Sequence, residues 1–163
     1  MKRIIVFLLG FFLLLNLTQK SLAQGAKMKV ASPEFKNSAY MPQRFSCDGD
    51  GVNPALDIEG IPREAKSLAL IVDDPDAPIG TYVHWVVFDI PVIARIEENS
   101  VPGKQGINTS GRNDYVSPCP PKGTHRYFFK IYALDTMLNL EENISKGALE
   151  KAMQGHILGQ AQT

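Results

Sequence analysis

Two short stretches hold most of the residue types able to act on a small ligand. The first reads Asp73-Asp74-Pro75-Asp76-Ala77-Pro78 and leads to His84; the second reads Ser117-Pro118-Cys119-Pro120-Pro121 and leads to His125, Arg126 and Tyr127. If the two meet, two imidazoles and a phenol converge beside the Asp74 carboxylate. Imidazolium N–H, tyrosyl O–H and turn backbone N–H groups are the donors a phosphate-sized anion wants. Proline fixes φ, so such a pocket is preformed and costs less ordering on binding. Asp74 has two readings: it orients a histidine and favours its charged form, or it accepts from an ammonium on the ligand. Asp76 and its prolines are the frame of the first stretch. Arg126 lies between His125 and Tyr127, so strand alternation turns it to the other face, where a salt bridge is expected.

Other chemistries find less support. The chain has no Gly-x-Ser-x-Gly elbow, no His-Glu-x-x-His motif and no glycine-rich phosphate loop before a helix. Cys47-Asp48-Gly49-Asp50-Gly51 lacks the longer ligand frame and terminal glutamate of a calcium loop, so it reads as a polar turn, and no metal site or cofactor is expected. A Cys119–His125 nucleophile pair, and with it a cysteine-dependent hydrolase, is the weaker alternative to a binding protein without catalytic residues.

The elements that must carry these residues are mostly strands. Ser67–Val72 is apolar on both faces and reads as a central strand feeding into the first stretch; Tyr82–Ile90 is β-branched and aromatic and reads as its buried partner. A third strand follows from His125 through Asp135. Short runs such as Met28–Ala31 and Arg44–Ser46, separated by prolines and glycines, read as short strands and turns. Residues 91–114 read as one long loop of the kind that is uncommon unless functional. Ser145 caps the one substantial helix expected, with Leu149, Ala152, Met153, His156 and Ile157 on its apolar face and His156 packing there. The expected class is mainly β with one late helix.

Lys2 and Arg3, the apolar run Ile4–Leu15 and the small residues around Ser21-Leu22-Ala23 form a secretory leader, with cleavage expected near Ala23 and periplasmic or secreted localisation. The remaining 24–163 is read as one domain of 140 residues. Removing the leader takes away three basic and no acidic residues, leaving 14 basic against 17 acidic ones and a net charge of −3. That is unfavourable for nucleic acid, and the apolar run is too short for an integral membrane protein. In an exported chain Cys47 and Cys119 are a disulfide candidate; two small buried thiols are the alternative.

Asp-Pro-Asp-Ala-Pro, His84-Trp85, Pro-Cys-Pro-Pro-x-Gly-x-His-Arg-Tyr and Tyr-Ala-Leu-Asp, in that order, closely resemble the phosphatidylethanolamine-binding protein family. The Cys-Asp-Gly at 47–49 and Gly-His-Ile-Leu at 155–158 resemble its bacterial branch, related to the Raf kinase inhibitor protein. The resemblance runs from about Met28 to the end. It implies an antiparallel β-sandwich with an anion-binding cavity at one end, lined by Asp74, His84, His125 and Tyr127 and bordered by Ser117, Cys119, Pro120 and Pro121. It further implies phosphate-bearing ligands such as a phosphoethanolamine head group. The alternative is a protein inhibitor or effector directed at a protease, kinase or host protein through a loop such as Ile93 to Asn113, and a homodimer is kept open. Three departures stand out: Asp57-Ile58 where relatives carry Ser-Trp, Ser117-Pro118 where a glycine is usual, and an end at Thr163, read either as a replaced or missing final strand with an exposed sheet edge or as a truncated sequence.

Overall fold

A computed structural model describes residues 27–163; the expected leader, 1–23, lies outside them. Two antiparallel sheets face each other. The smaller holds β1 (Lys29–Ala31), β2 (Leu56–Glu59) and β5 (Arg95–Ile96) in the order β1-β2-β5. The larger holds β3 (Ser67–Asp74), β4 (Tyr82–Ile90), β6 (Lys104–Gln105), β7 (Phe128–Leu134) and β8 (Ile157–Gln162) in the order β6-β4-β3-β7-β8.

β3 is central and every one of its residues is buried. Its alternation divides the core in two. Leu68, Leu70 and Val72 point between the sheets toward Val30, Ile58, Trp85 and Ile131. Ala69 and Ile71 point outward to Leu149 and Met153 of the helix α1 (Lys146–Met153). The sheet therefore has two apolar faces, which is why the β3 sequence is apolar throughout rather than alternating. Ser145 caps α1 by accepting from the Ala148 N–H at 3.2 Å.

Four expectations about elements are corrected. The helix stops at Met153 because the chain turns at Gly155, whose φ of +81° suits glycine. Ile157 therefore begins β8, and His156 does not pack: its side chain is 45% exposed and its Nδ1 lies 2.8 Å from Asp135 Oδ1. Against the expectation of a replaced or missing final strand, Ile157–Gln162 form the edge strand β8, paired to β7 from Lys130↔Gln162 to Leu134↔Ile157. Residues 91–114 are not one loop, since β5 and β6 fall within them, each too short to show a periodicity. Gln43–Phe45 is a 3₁₀ turn around the buried Phe45 rather than a strand.

Gly106 marks a close approach rather than a flexible loop. A Cβ there would lie 2.4 Å from the Ile144 carbonyl oxygen and 2.8 Å from Val86 Cγ1. Gly106→Ala is expected to destabilise the fold by about 1–3 kcal/mol, as overpacking does. A fall in the urea midpoint at unchanged slope would record it.

Candidate functional site

Alternation along β3 sends Asp73 and Asp74 to opposite faces. Asp73 is buried on the outer face, where Oδ2 accepts from Lys130 Nζ at 2.9 Å and Lys146 Nζ at 2.6 Å, fastening α1 to the sheet. Asp74 turns inward, where its Oδ2 accepts from the Nδ1–H of His125 at 2.7 Å and its Oδ1 from the Asp76 N–H at 2.8 Å. Both partners of the Asp74–His125 pair are nearly buried, with 5% and 9% of their side-chain surfaces exposed. Of the two readings for Asp74, the geometry is that of a histidine-orienting carboxylate.

His84 reaches the same region through an irregularity. Between Val72↔Trp85 and Asp73↔Val83 the β3–β4 register slips by one, leaving His84 as the extra residue of a bulge. Strict alternation would place His84 with Val86 on the outer face; a bulge re-aims the side chain. The His84 ring is instead flanked by Tyr127 (centroids 5.3 Å apart, nearly perpendicular) and Tyr82 (4.8 Å). Its ladder partner is replaced by Val116, which donates its N–H to the His84 carbonyl at 3.0 Å and accepts from His84 Nδ1 at 2.7 Å. A carbonyl can only accept, so Nδ1 carries the hydrogen and Nε2 is left for a ligand.

Burial pushes the His84 pKa below its ordinary value, against the opposing pull of the Val116 carbonyl and of Asp74 and Asp73. The ring is thus neutral near pH 7 and offers a lone pair at Nε2, not the imidazolium N–H expected from the residue type. Tyr127 is pushed up to about 12 by burial and by Asp74 and Asp76, so its hydroxyl stays a donor. Asp76 holds the second stretch in place. It accepts from the Arg126 backbone N–H at 2.9 Å and from its guanidinium at 2.9 and 2.6 Å, and the side-chain and backbone bonds from Arg126 hold its carboxyl far below the usual range. Arg126 is the outward salt-bridge partner that alternation predicts, although β7 begins only at Phe128.

His125, Tyr127, Pro118 and Pro120 line a groove of about 850 Å³ whose other wall includes Phe35, Tyr40 and Met41. Asp74 and His84, 3% and 5% exposed, sit behind that lining. Ser117 lies against Gly51, while Pro121 is exposed and Cys119 is bonded to Cys47 (S–S 2.01 Å, Cα–Cα 5.4 Å). Cys119 therefore presents no free thiol to His125. Sequence reading missed Tyr82, although it stands two residues before His84, and also the Phe35–Met41 wall and the Val116 backbone, which carry no chemical signature. Of the departures, Asp57 pairs with Arg95 at 2.7 Å on the surface and Ile58 is buried in the core. Among the described residues no three His, Cys, Asp or Glu side chains form a metal-binding group, and no helix is long and apolar enough to cross a membrane.

A family model described as phosphatidylethanolamine-binding protein matches residues 31–163. A UPF0098 protein of Methanothermobacter thermautotrophicus is 47% identical over 142 residues, which span 82% of this chain and 94% of that one. A UPF0098 protein of Pyrococcus abyssi is 46% identical over 146 residues, 82% of each chain. Among solved structures, a phosphatidylethanolamine-binding protein homolog from Chlamydia trachomatis superimposes with a TM-score of 0.81 at 41% identity, covering 83% of this chain and 94% of that one. The Escherichia coli protein YbcL, described as a new member of the mammalian family, gives 0.76 at 28% identity, covering 84% and 95%.

Proposed function

The chain belongs to the phosphatidylethanolamine-binding protein family, and from that premise we propose an exported binding protein for a small phosphate-bearing ligand or phospholipid head group of the phosphoethanolamine kind. One observation carries the reading: His125, oriented by Asp74, and Tyr127 meet at the wall of one groove with His84 directly behind. The phosphoryl group is assigned to His125 Nε2, the Tyr127 hydroxyl and His84 Nε2. Both rings donate Nδ1–H to a protein oxygen, His125 to Asp74 and His84 to the Val116 carbonyl, so each neutral imidazole presents a lone pair at Nε2 and each of these contacts requires a proton between Nε2 and a phosphate oxygen, supplied by the ligand or taken up on binding. The rest of the groove is far larger than a phosphate and takes the organic remainder against Phe35, Tyr40 and Met41. Export rests on the basic and apolar start of the chain.

Isothermal titration of the mature protein with phosphoethanolamine tests the site. His84→Ala is expected to lower the affinity by about tenfold, the loss of one hydrogen bond to a charged group. Equal affinities for wild type and variant would show that His84 is no part of the site.

A further inference from the structure

We infer that the Cys47–Cys119 disulfide is a redox-sensitive tether that sets the affinity of the groove, an inference that rests on the binding role proposed above. The bond joins positions 72 apart in sequence, and both cysteines are exposed. Neither belongs to the sandwich core or to the helix-side core, so opening the bond leaves both intact. What it holds is the groove. Ser46 and Asp48, on either side of Cys47, and Pro118 and Pro120, on either side of Cys119, line the same groove from two separate loops. The sulfur bridge closes the seam between those two walls.

Little else can replace it. Pro118, Pro120 and Pro121 have no N–H, so residues 118–121 keep one backbone donor, that of Cys119. Across the seam runs one backbone hydrogen bond, from the Cys47 N–H to the Pro118 carbonyl at 3.0 Å. Three residues before Cys119, Val116 makes the two hydrogen bonds that fix His84. A Cys119 loop released from Cys47 therefore loosens both the groove wall and the carbonyl that sets the His84 tautomer, a coupling carried by a contiguous stretch of chain.

The chemistry is thiol–disulfide exchange with an external dithiol reductant. One reductant thiolate attacks a sulfur of the bridge to give a mixed disulfide and a cysteine thiolate; the second reductant thiol then closes a reductant disulfide and expels the other cysteine. Cys47 and Cys119 each end with one proton and one electron more, and the reductant loses two electrons. Reciprocity requires that ligand which prefers the tethered groove make the bridge harder to reduce by the same factor.

The test compares phosphoethanolamine affinity of the oxidised protein, the protein reduced with dithiothreitol, and the double variant Cys47→Ser with Cys119→Ser, with far-UV circular dichroism confirming that each is folded. Reduction is expected to weaken binding by about tenfold, within the usual span of coupling between sites. Reoxidation is expected to restore it, and the double variant to bind like the reduced protein with or without dithiothreitol. Hydrogen exchange adds a readout that needs no ligand: the Cys47 and Val116 amides exchange faster on reduction, while those of Ile71 and Ile131 in the sheet stay protected. Equal affinities in the folded oxidised and reduced states, or unchanged exchange at Val116, would overturn the tether and leave the binding role standing. No binding in the oxidised wild type would overturn the binding role and the tether with it.

Discussion

His125→Ala is expected to weaken phosphoethanolamine binding by about 10- to 100-fold, the loss of a hydrogen bond to a charged group worth about 1.5–3 kcal/mol. His125 is chosen because it is the groove-lining imidazole whose orientation is fixed from behind. Alanine has a second consequence. It leaves the buried Asp74 carboxylate with the Asp76 N–H and without its imidazole partner, so the fold is also expected to lose stability. His125→Asn separates the two effects. Its side-chain amide can take the place of Nδ1–H toward Asp74 but has nothing where Nε2 stood, so stability is kept while binding is lost. Titration calorimetry and denaturant unfolding on the two variants give both numbers. An asparagine variant that binds like wild type would place the ligand elsewhere.

The second large effect is on pH. His84 is held neutral by burial, with Asp74, Asp73 and His125 acting on it electrostatically and the Tyr82 and Tyr127 rings packed against it. A phosphate monoester loses its second proton near pH 6. Well above that value, then, a lone pair on Nε2 faces a deprotonated oxygen, and binding must take up a proton. Affinity therefore falls as the pH rises, at most about tenfold per pH unit for each proton taken up. The unliganded protein moves the other way. The folded-state pKa of His84 is depressed, so the unfolded chain binds the proton first as the pH falls through about 6.5. Stability contributed by the neutral ring is present above that value and is lost as the pH drops toward the folded-state pKa. Calorimetry near pH 7 in buffers of different ionisation enthalpy measures the uptake directly. His84→Gln, whose amide donates without titrating, is expected to reduce it. Binding without proton uptake in the wild type would contradict the assigned hydrogen bond.

The two stretches singled out from residue types do converge, because they flank the ends of β3, β4 and β7, the three strands that are also plainest in the sequence. Ser67–Asp74 announces itself by being apolar on both faces, and the family motifs supply the sandwich. What was illegible depends on single backbone events. The bulge at His84 cannot be read from alternation, which sends that ring to the wrong face of the sheet. The neutrality of His84 comes from burial and from the Val116 carbonyl, and neither belongs to the identity of a histidine. A helix pattern running through His156 and Ile157 was cut by Gly155, whose left-handed φ turned the same apolar residues into an edge strand. The Phe35–Met41 wall carries no chemistry of its own and is assembled only by the fold.

The protein has three histidines, and only two of them belong to the proposed site. His156 is exposed and paired with Asp135 at the start of β8, which makes it an internal control. Following the three imidazole ring resonances by NMR during titration with phosphoethanolamine therefore tests the central claim most directly. The His84 and His125 rings are expected to shift together and saturate with one dissociation constant while the His156 ring stays unmoved. A titration in which the His84 and His125 rings do not move, or in which His156 alone does, would contradict it.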